Sequence, residues 1–168
     1  MKELISEKEI ELGVKELAKT ITNEHKNDKT PIIFVGLLNG CFMFYSDLVK
    51  NIKLDIECDF MRVKSYVGKK KQGDVQIKKD LETSIKGKHV YLVDDIYDTG
   101  NTMNAVIDYL QVKKPKTISI VTLITRKSSP IPEQPFYNAF VIEDEWCLGM
   151  GMDGSKGFNR NLPYVLAL

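Results

Sequence analysis

The sequence is short of several things at once, and each shortage narrows what the chain does. Cysteine occurs three times, as Cys41, Cys58 and Cys147, an odd number with no C-x-x-C pair. That argues against a disulfide framework and for a reducing compartment. Histidine occurs twice, as His25 and His89, far apart and without metal-ligand spacing, so a zinc site is not expected. Neither sign of charge dominates: 24 Lys and Arg stand against 23 Asp and Glu, for a net charge of +1. The basic footprint of a nucleic-acid binder is missing. Long hydrophobic runs are missing too, since Pro31 to Leu38 (PIIFVGLL) is far too short to span a bilayer. The opening MKELISEKEIELG is charged and lacks the apolar centre of a signal peptide. A cytosolic protein is expected, with neither nucleic acid nor membrane as partner.

What is present is an ordinary globular balance, 43% hydrophobic and 28% charged over 168 residues, enough for one domain around a single core. Ser6 and Glu9 have capping-box spacing, and Ile10, Val14, Leu17, Ala18 and Ile21 recur at helical intervals, which predicts a helix to about Glu24. Pro31 opens IIFVGLL, a buried strand broken by Asn39-Gly40, and CFMFYSDLVKNI continues as a second helix. Alternation at Ile56, Cys58 and Phe60 predicts a half-buried strand to about Tyr66. From Val67 to Lys88 the chain is lysine-rich and reads as a mobile loop or exposed hairpin, in which DVQI could pair weakly. HVYLVDD is the next buried strand, Thr102 to Val112 a helix, and TISIVTLI a third apolar strand. Two short strands, NAFVIE and WCLGM, precede a glycine-rich loop and the closing LPYVLAL. Alternating strands and helices predict an α/β fold, a mostly parallel sheet flanked by helices, with ligands at the carboxyl ends of the strands. Leu38-Asn39-Gly40, Asp94 to Thr102 and Thr125-Arg126-Lys127 fall at those ends.

The stretch VYLVDDIYDTGNT, Val90 to Thr102, concentrates the chemistry. Thr99, Gly100, Asn101 and Thr102 offer tight backbone geometry and hydroxyl or amide donors just where a helix starts, which suits a phosphate monoester. No G-x-x-x-x-G-K string is present, so triphosphate hydrolysis is not indicated. Asp94 and Asp95 cannot both sit unpaired in an apolar crevice without a large desolvation cost. Sugar hydroxyls or a hard divalent cation would relieve it, and a ribose 5-phosphate would meet both halves of the stretch. The plainer alternatives are a magnesium site of receiver type, or a turn with a helix cap. Lys69-Lys70-Lys71 is more commonly a solvated loop than an anion trap.

The string D-D-x-x-D-T-G-x-T behind four apolar residues resembles the phosphoribosyl-diphosphate motif of the type I phosphoribosyltransferases, and aspartate at position 98 resembles their hypoxanthine–guanine branch. Leu38-Asn39-Gly40 resembles the family's first active-site loop, and Lys64-Ser65-Tyr66 the start of its lid. Leu148 to Asp153, followed by Arg160-Asn161-Leu162-Pro163, resembles its C-terminal purine and pyrophosphate segment. The resemblance implies a single phosphoribosyltransferase domain over residues 1–168, with a lid at about 66–88, a purine-binding segment at about 137–168, and a small hood built from the N- and C-terminal segments. It implies magnesium-dependent transfer of phosphoribosyl from phosphoribosyl diphosphate to N9 of hypoxanthine or guanine, in a homodimer or homotetramer.

The same resemblance assigns residues. Asp98 would take the proton from N7 of the base. Asp94 and Asp95 would meet the ribose hydroxyls and magnesium, and Thr99, Gly100, Asn101 and Thr102 the 5-phosphate. Asn39, Gly40 and Arg160 would meet the pyrophosphate. Arg126, Trp146, Cys147 and Asp153 would surround the purine, with Asp153 also at a second magnesium. Ser65 and Tyr66 would close the site against water. The chain departs from the family in four places. Asn39 stands where lysine is usual, Asn101 where lysine or arginine is common, and Arg126 where lysine meets the exocyclic oxygen of the base. The segment from Asp153 to Arg160 is one residue longer, with added Gly154 and Gly157. Two alternatives follow: a preference for xanthine, through Arg126, or a nucleotide-sensing regulator on the same fold. Asp98 favours the enzyme.

Overall fold

In the computed structural model, which describes residues 1–65 and 75–168, the chain opens on a short strand that its charged sequence conceals, β1 (Lys2–Ile5). Helix α1 (Glu7–Glu24) follows at once because Ser6 and Glu9 cap it reciprocally. The Glu9 amide donates to Ser6 Oγ at 3.3 Å and the Ser6 amide to Glu9 Oε2 at 2.8 Å. The face carrying Ile10, Val14, Leu17, Ala18 and Ile21 is buried, as its spacing predicts. The chain then alternates: β2 (Ile32–Leu38), α2 (Phe42–Asn51), β3 (Glu57–Ser65), β4 (Val75–Lys79), β5 (His89–Tyr97), α3 (Asn101–Gln111), β6 (Thr117–Arg126) and β7 (Phe136–Ile142). It ends in β8 (Cys147–Leu148), a single 3-10 turn (Ser155–Gly157) and β9 (Val165–Ala167).

Six strands form the main sheet in the order β4-β3-β2-β5-β6-β7. All neighbours are parallel except β4, which runs antiparallel to β3 at the edge. Both faces of the central strands are covered, so their hydrophobic runs are nearly continuous. Phe34, Tyr91, Val93, Val121 and Leu123 pack beneath α1 and α2. Ile33, Val35, Leu37, Val90, Leu92 and Ile120 face α3 through Met103, Val106, Ile107 and Leu110. The chain passes outward from β2 to β3 and returns to lay β5 on the other side of β2. That reversal opens a crevice between the carboxyl ends of β2 and β5.

The second sheet, β1-β9-β8, is the expected hood from the two terminal segments. It begins later than the expected 137–168, because Phe136–Ile142 is the sixth strand of the main sheet, paired in parallel with β6. The pairing of β1 with β9 exploits Ile5, the one buried side chain in that strand. None of the helices among the described residues is long and apolar enough to cross a membrane.

The expected lid divides. Tyr66, Lys69, Lys70 and Lys71 lie outside the described residues, and Ser65 is the last residue of β3. Val75 to Lys79 pairs with β3, which is the hairpin form of the expectation. Residues 80–88 are anchored to the fold: Ile85 is buried, and Asp80 accepts from Tyr109 Oη at 2.5 Å and Lys113 Nζ at 3.2 Å. Asp59 fixes the same stretch, accepting from the amides of Glu82 and Thr83 at 2.8 Å and of Phe60 at 2.7 Å. Burial raises the pKa of this carboxyl, but those amides and the Lys79 ammonium outweigh it, so the net shift is downward.

A lowered carboxyl pKa contributes stability above the unfolded value, lost as pH falls through the folded value. Asp59→Asn keeps one acceptor oxygen but sets its NH2 against either the Phe60 amide or the Glu82 and Thr83 amides, and should cost about 1–3 kcal/mol at neutral pH. Urea unfolding at pH 7 and pH 3 checks this, with a clearly smaller difference expected at the acid end.

Candidate active site

Strand β5 carries its acids past the end of the hydrophobic sandwich. Val90 to Val93 are fully buried between the helical layers, while Asp94 and Asp95 are partly buried where the sheet opens into the crevice. Their backbones help hold them: the Asp95 amide donates to Asp94 Oδ1 at 3.0 Å and the Ile96 amide to Asp95 Oδ1 at 2.7 Å. Burial and then the charge of Asp95 push the Asp94 carboxyl well above the usual range. Burial also pushes Asp95 up, against the Ile96 amide and the Arg160 guanidinium, which pull it down. Hydroxyl donors or a hard divalent ion would relieve such a pair further than Arg160 does, and two adjacent carboxylates fit such an ion.

The opposite wall is the loop after β2, where the peptide between Leu38 and Asn39 is cis. Gly40 lies against the Asp95 carboxylate so closely that a methyl group there would overlap it. Gly151, with φ of 97°, lies equally close to the Gly40 carbonyl. Three chain segments distant in sequence therefore meet at one point, and side chains are excluded from two of them.

Below the acids, Gly100 turns the chain into α3 with φ of 78°. The buried Tyr97 ring occupies the space a side chain at 100 would need. Thr99 Oγ1 accepts from the Asn101 amide at 3.3 Å. A cavity of about 180 Å³ is lined continuously from Asp94 to Met103, and the first turn of α3 leaves its amides without partners inside the helix. An anion is favoured there by both the free donors and the helix dipole.

A second cavity, about 150 Å³, is lined by Asp95, Ile96, Asp98, Arg126, Trp146, Cys147, Met152 and Asp153. It shares Asp95, Ile96 and Asp98 with the first. Arg126 is the last residue of β6, and parallel pairing brings that strand's end beside the end of β5. Ser129 Oγ donates to the Tyr97 carbonyl at 2.9 Å and tightens this corner. Arg126 Nε lies 3.5 Å from Asp98 Oδ1, while its Nη1 donates to the Glu145 carbonyl. Trp146 is 62% exposed, a flat apolar face beside the cavity, and its carbonyl accepts from the Leu168 amide at 3.0 Å. Arg160 closes the rim: Nη2 pairs with Asp153 Oδ2 at 2.8 Å and Nη1 donates to the Gly151 carbonyl at 2.5 Å.

The structure thus brings together Asn39, Gly40, Asp94, Asp95, Asp98 to Thr102, Arg126, Trp146, Cys147, Asp153 and Arg160 around one crevice. Tyr66 lies outside the described residues, and Ser65 ends the neighbouring strand β3. Four wall residues were not assigned to the site from the sequence: Tyr97 and Met103, which line the first cavity, and Ile96 and Met152. Ile96 lines both cavities, and Met152 lines the flatter one. Apolar residues in a strand end and a glycine-methionine turn carry no chemical signal of their own.

A family model described as a phosphoribosyl transferase domain matches residues 1–155. A hypoxanthine phosphoribosyltransferase of Buchnera aphidicola is 40% identical over 167 residues, covering 98% of this chain and 94% of the relative. A hypoxanthine-guanine phosphoribosyltransferase of Aquifex aeolicus is also 40% identical, covering 98% and 93%. The crystal structure of a hypoxanthine phosphoribosyltransferase from Staphylococcus aureus superimposes with a TM-score of 0.92 at 36% identity, covering all of this chain and 91% of that one.

The raised pKa values of Asp94 and Asp95 mean that the folded state binds their protons more tightly than the unfolded state. Their contribution to stability therefore falls as pH rises past the unfolded carboxyl range. Asp94→Asn mimics the protonated form. In metal-free buffer it should raise Tm by about 2–4 °C at pH 7, an advantage that disappears at acid pH. An unchanged or lower Tm at pH 7 would show that the pair is already compensated.

Proposed function

Because the chain belongs to the phosphoribosyl transferase family, we propose that it catalyses magnesium-dependent transfer of a phosphoribosyl group from phosphoribosyl diphosphate to N9 of a 6-oxopurine. Hypoxanthine and guanine are the bases, IMP or GMP and pyrophosphate the products, and purine salvage the setting. The observation that carries this reading is the pair of adjoining cavities, one suited to a phosphate and one flanked by an indole, with Asp95, Ile96 and Asp98 as their common wall. A ribose bridging them would place its anomeric carbon beside that wall.

The ribose 5-phosphate is received by the amides and hydroxyls from Thr99 to Thr102 at the start of α3. Asp94 and Asp95 face the ribose diol, whose hydroxyls donate to them. The base enters between Trp146 and the Asp98–Arg126 side, with the Cys147 backbone at its edge. As the bond from the anomeric carbon to pyrophosphate breaks and the bond to N9 forms, Asp98 accepts the proton from N7. Developing positive charge on the ribose ring is stabilised by the nearby carboxylates. Asp94 and Asp95 would hold one magnesium ion, and Asp153, in competition with Arg160, a second. When bound, magnesium neutralises the charge of the leaving pyrophosphate. Asn39 and Gly40 present backbone to that leaving group, and Arg160 presents charge.

Arg126 replaces a point charge by a planar fork that is already shared between Asp98 and the Glu145 carbonyl. The donor left for the exocyclic oxygen of the base is therefore directionally restricted. Xanthine, which carries a second oxo group, is the alternative substrate that this residue favours. Ser65, Tyr66 and the stretch that leads to the anchored residues 80–88 act as the lid. The enzyme works in the cytosol, where its three free cysteines stay reduced, as a dimer or tetramer that light scattering would detect.

Purified protein with magnesium and phosphoribosyl diphosphate should release pyrophosphate with hypoxanthine or guanine. Silence with those bases and with xanthine would overturn the enzymatic reading. Asp98→Asn should lower kcat by about 10²–10⁴-fold, the usual span for a lost general base, with phosphoribosyl-diphosphate affinity nearly unchanged. Arg126→Lys should alter the ratio of kcat/KM between xanthine and hypoxanthine and leave the 5-phosphate contacts alone.

A further inference from the structure

The end of the sheet opposite the crevice carries a second cluster of ligating side chains. His25 caps the end of α1, Asp28 lies in the turn behind it, and His89 is the first residue of β5. Sequence spacing argues against a shared metal, but the fold removes that spacing and sets the two imidazole centroids 4.8 Å apart. His89 Nε2 lies 2.8 Å from Asp28 Oδ2, and His25 Nδ1 lies 4.0 Å from the same oxygen. His25 is only 9% exposed, yet its Nδ1 has no hydrogen-bond partner among the described residues. An orphaned buried nitrogen aimed at a carboxylate and a second imidazole is costly unless something occupies the space between them.

The outer nitrogens of both rings are already engaged. His25 Nε2 is 2.6 Å from Tyr91 Oη, and His89 Nδ1 is 2.7 Å from Thr117 Oγ1. Metal-bound histidines show this arrangement, with one nitrogen on the ion and the other oriented by a hydrogen bond. The three facing atoms lie within 4.8 Å of one another.

We propose that His25 Nδ1, His89 Nε2 and Asp28 Oδ2 form a binding site for a divalent transition-metal ion of the zinc class. Two imidazoles and one carboxylate suit zinc, whereas magnesium prefers oxygen ligands alone. Ligand distances of about 2.0–2.2 Å require the His89–Asp28 pair to open slightly and His25 to move in. Asp28, on an exposed turn, does most of that moving. The cleft alongside, about 490 Å³ and lined by Thr30, Asp55 and Glu57 among others, leaves room for water at the open coordination position.

Not every neighbour helps. Lys116 Nζ is 3.8 Å from Asp28 Oδ2 and also donates to Thr30 Oγ1 at 2.6 Å, so it competes for the carboxylate. Being half exposed, it can swing into solvent. Lys26 and Lys29 line the same cleft, opposed by Asp55 and by Glu57, which pairs with Lys88 at 2.6 Å. The site is separate from the catalytic crevice, since five residue steps along β5 part His89 from Asp94, roughly 16 Å. A bound ion there would staple the end of α1 to the start of the central strand.

Zinc titration of the full chain against a chromophoric chelator, with magnesium in excess, tests the assignment. One zinc ion per chain is expected, with affinity weakened about tenfold or more in His25→Gln and in His89→Gln. Lys116→Met should tighten binding, and Asp94→Asn should leave it unchanged. Cobalt added to the unmodified protein gives a reading that does not depend on any variant folding, a tetrahedral visible spectrum without a thiolate charge-transfer band. No binding, equal affinity in His25→Gln, or a thiolate band abolished by Cys58→Ser would each overturn the proposal.

Discussion

Confining two like-charged carboxylates where the sheet reverses its winding is the constraint that organises this molecule. Asp94 and Asp95 reach that position only because four apolar residues before them are locked between helical layers on both faces. Gly40 approaches Asp95 because the loop after β2 ends beside it, and Gly151 reaches Gly40 because the hood folds over both. Any one of these approaches would fail with a side chain in the way. Binding is installed at the expense of the empty fold, since burial disfavours the charges that ligands need.

The same constraint explains how two dissimilar cavities can cooperate. One is built from a helix start, a setting that suits an anion; the other is built from an exposed indole and a shared arginine, a setting that suits a flat ring. Parallel pairing of β5 with β6 places Asp98 and Arg126 at one edge without any special loop. Proximity of the two half-sites is thus a property of the sheet, and the loops supply only chemistry.

Much of this was legible in the chain. Helix α1 was marked by its cap and its apolar spacing, and the central strands by hydrophobic runs bounded by glycine or proline. The turn into α3 was marked by threonines and glycine at a helix start. What stayed hidden depended on partners far away in sequence. Strand β1 has only Ile5 as a buried anchor, and it exists because β9 lies beside it. Phe136 to Ile142 looked like part of the hood, but its parallel register with β6 makes it a sheet edge. The lysine-rich stretch concealed Ile85 and the Asp59 and Asp80 anchors, which tie residues 80–83 to the fold. His25 and His89 looked unrelated because strand pairing alone sets their distance.

The hood has a further implication for how the protein comes into being. Its middle strand, β9, pairs with β1 and β8, so Lys2 is aligned with Ala167 across almost the entire chain. Contacts of such long sequence separation carry the largest loop-closure entropy and tend to form after local ones. The sheet and the turn into α3 can assemble from neighbouring segments, whereas the three-stranded hood is complete only when both extremities have met. The wall at Trp146, tied to Leu168 beside β9, therefore borders the part of the molecule whose assembly waits longest on chain closure.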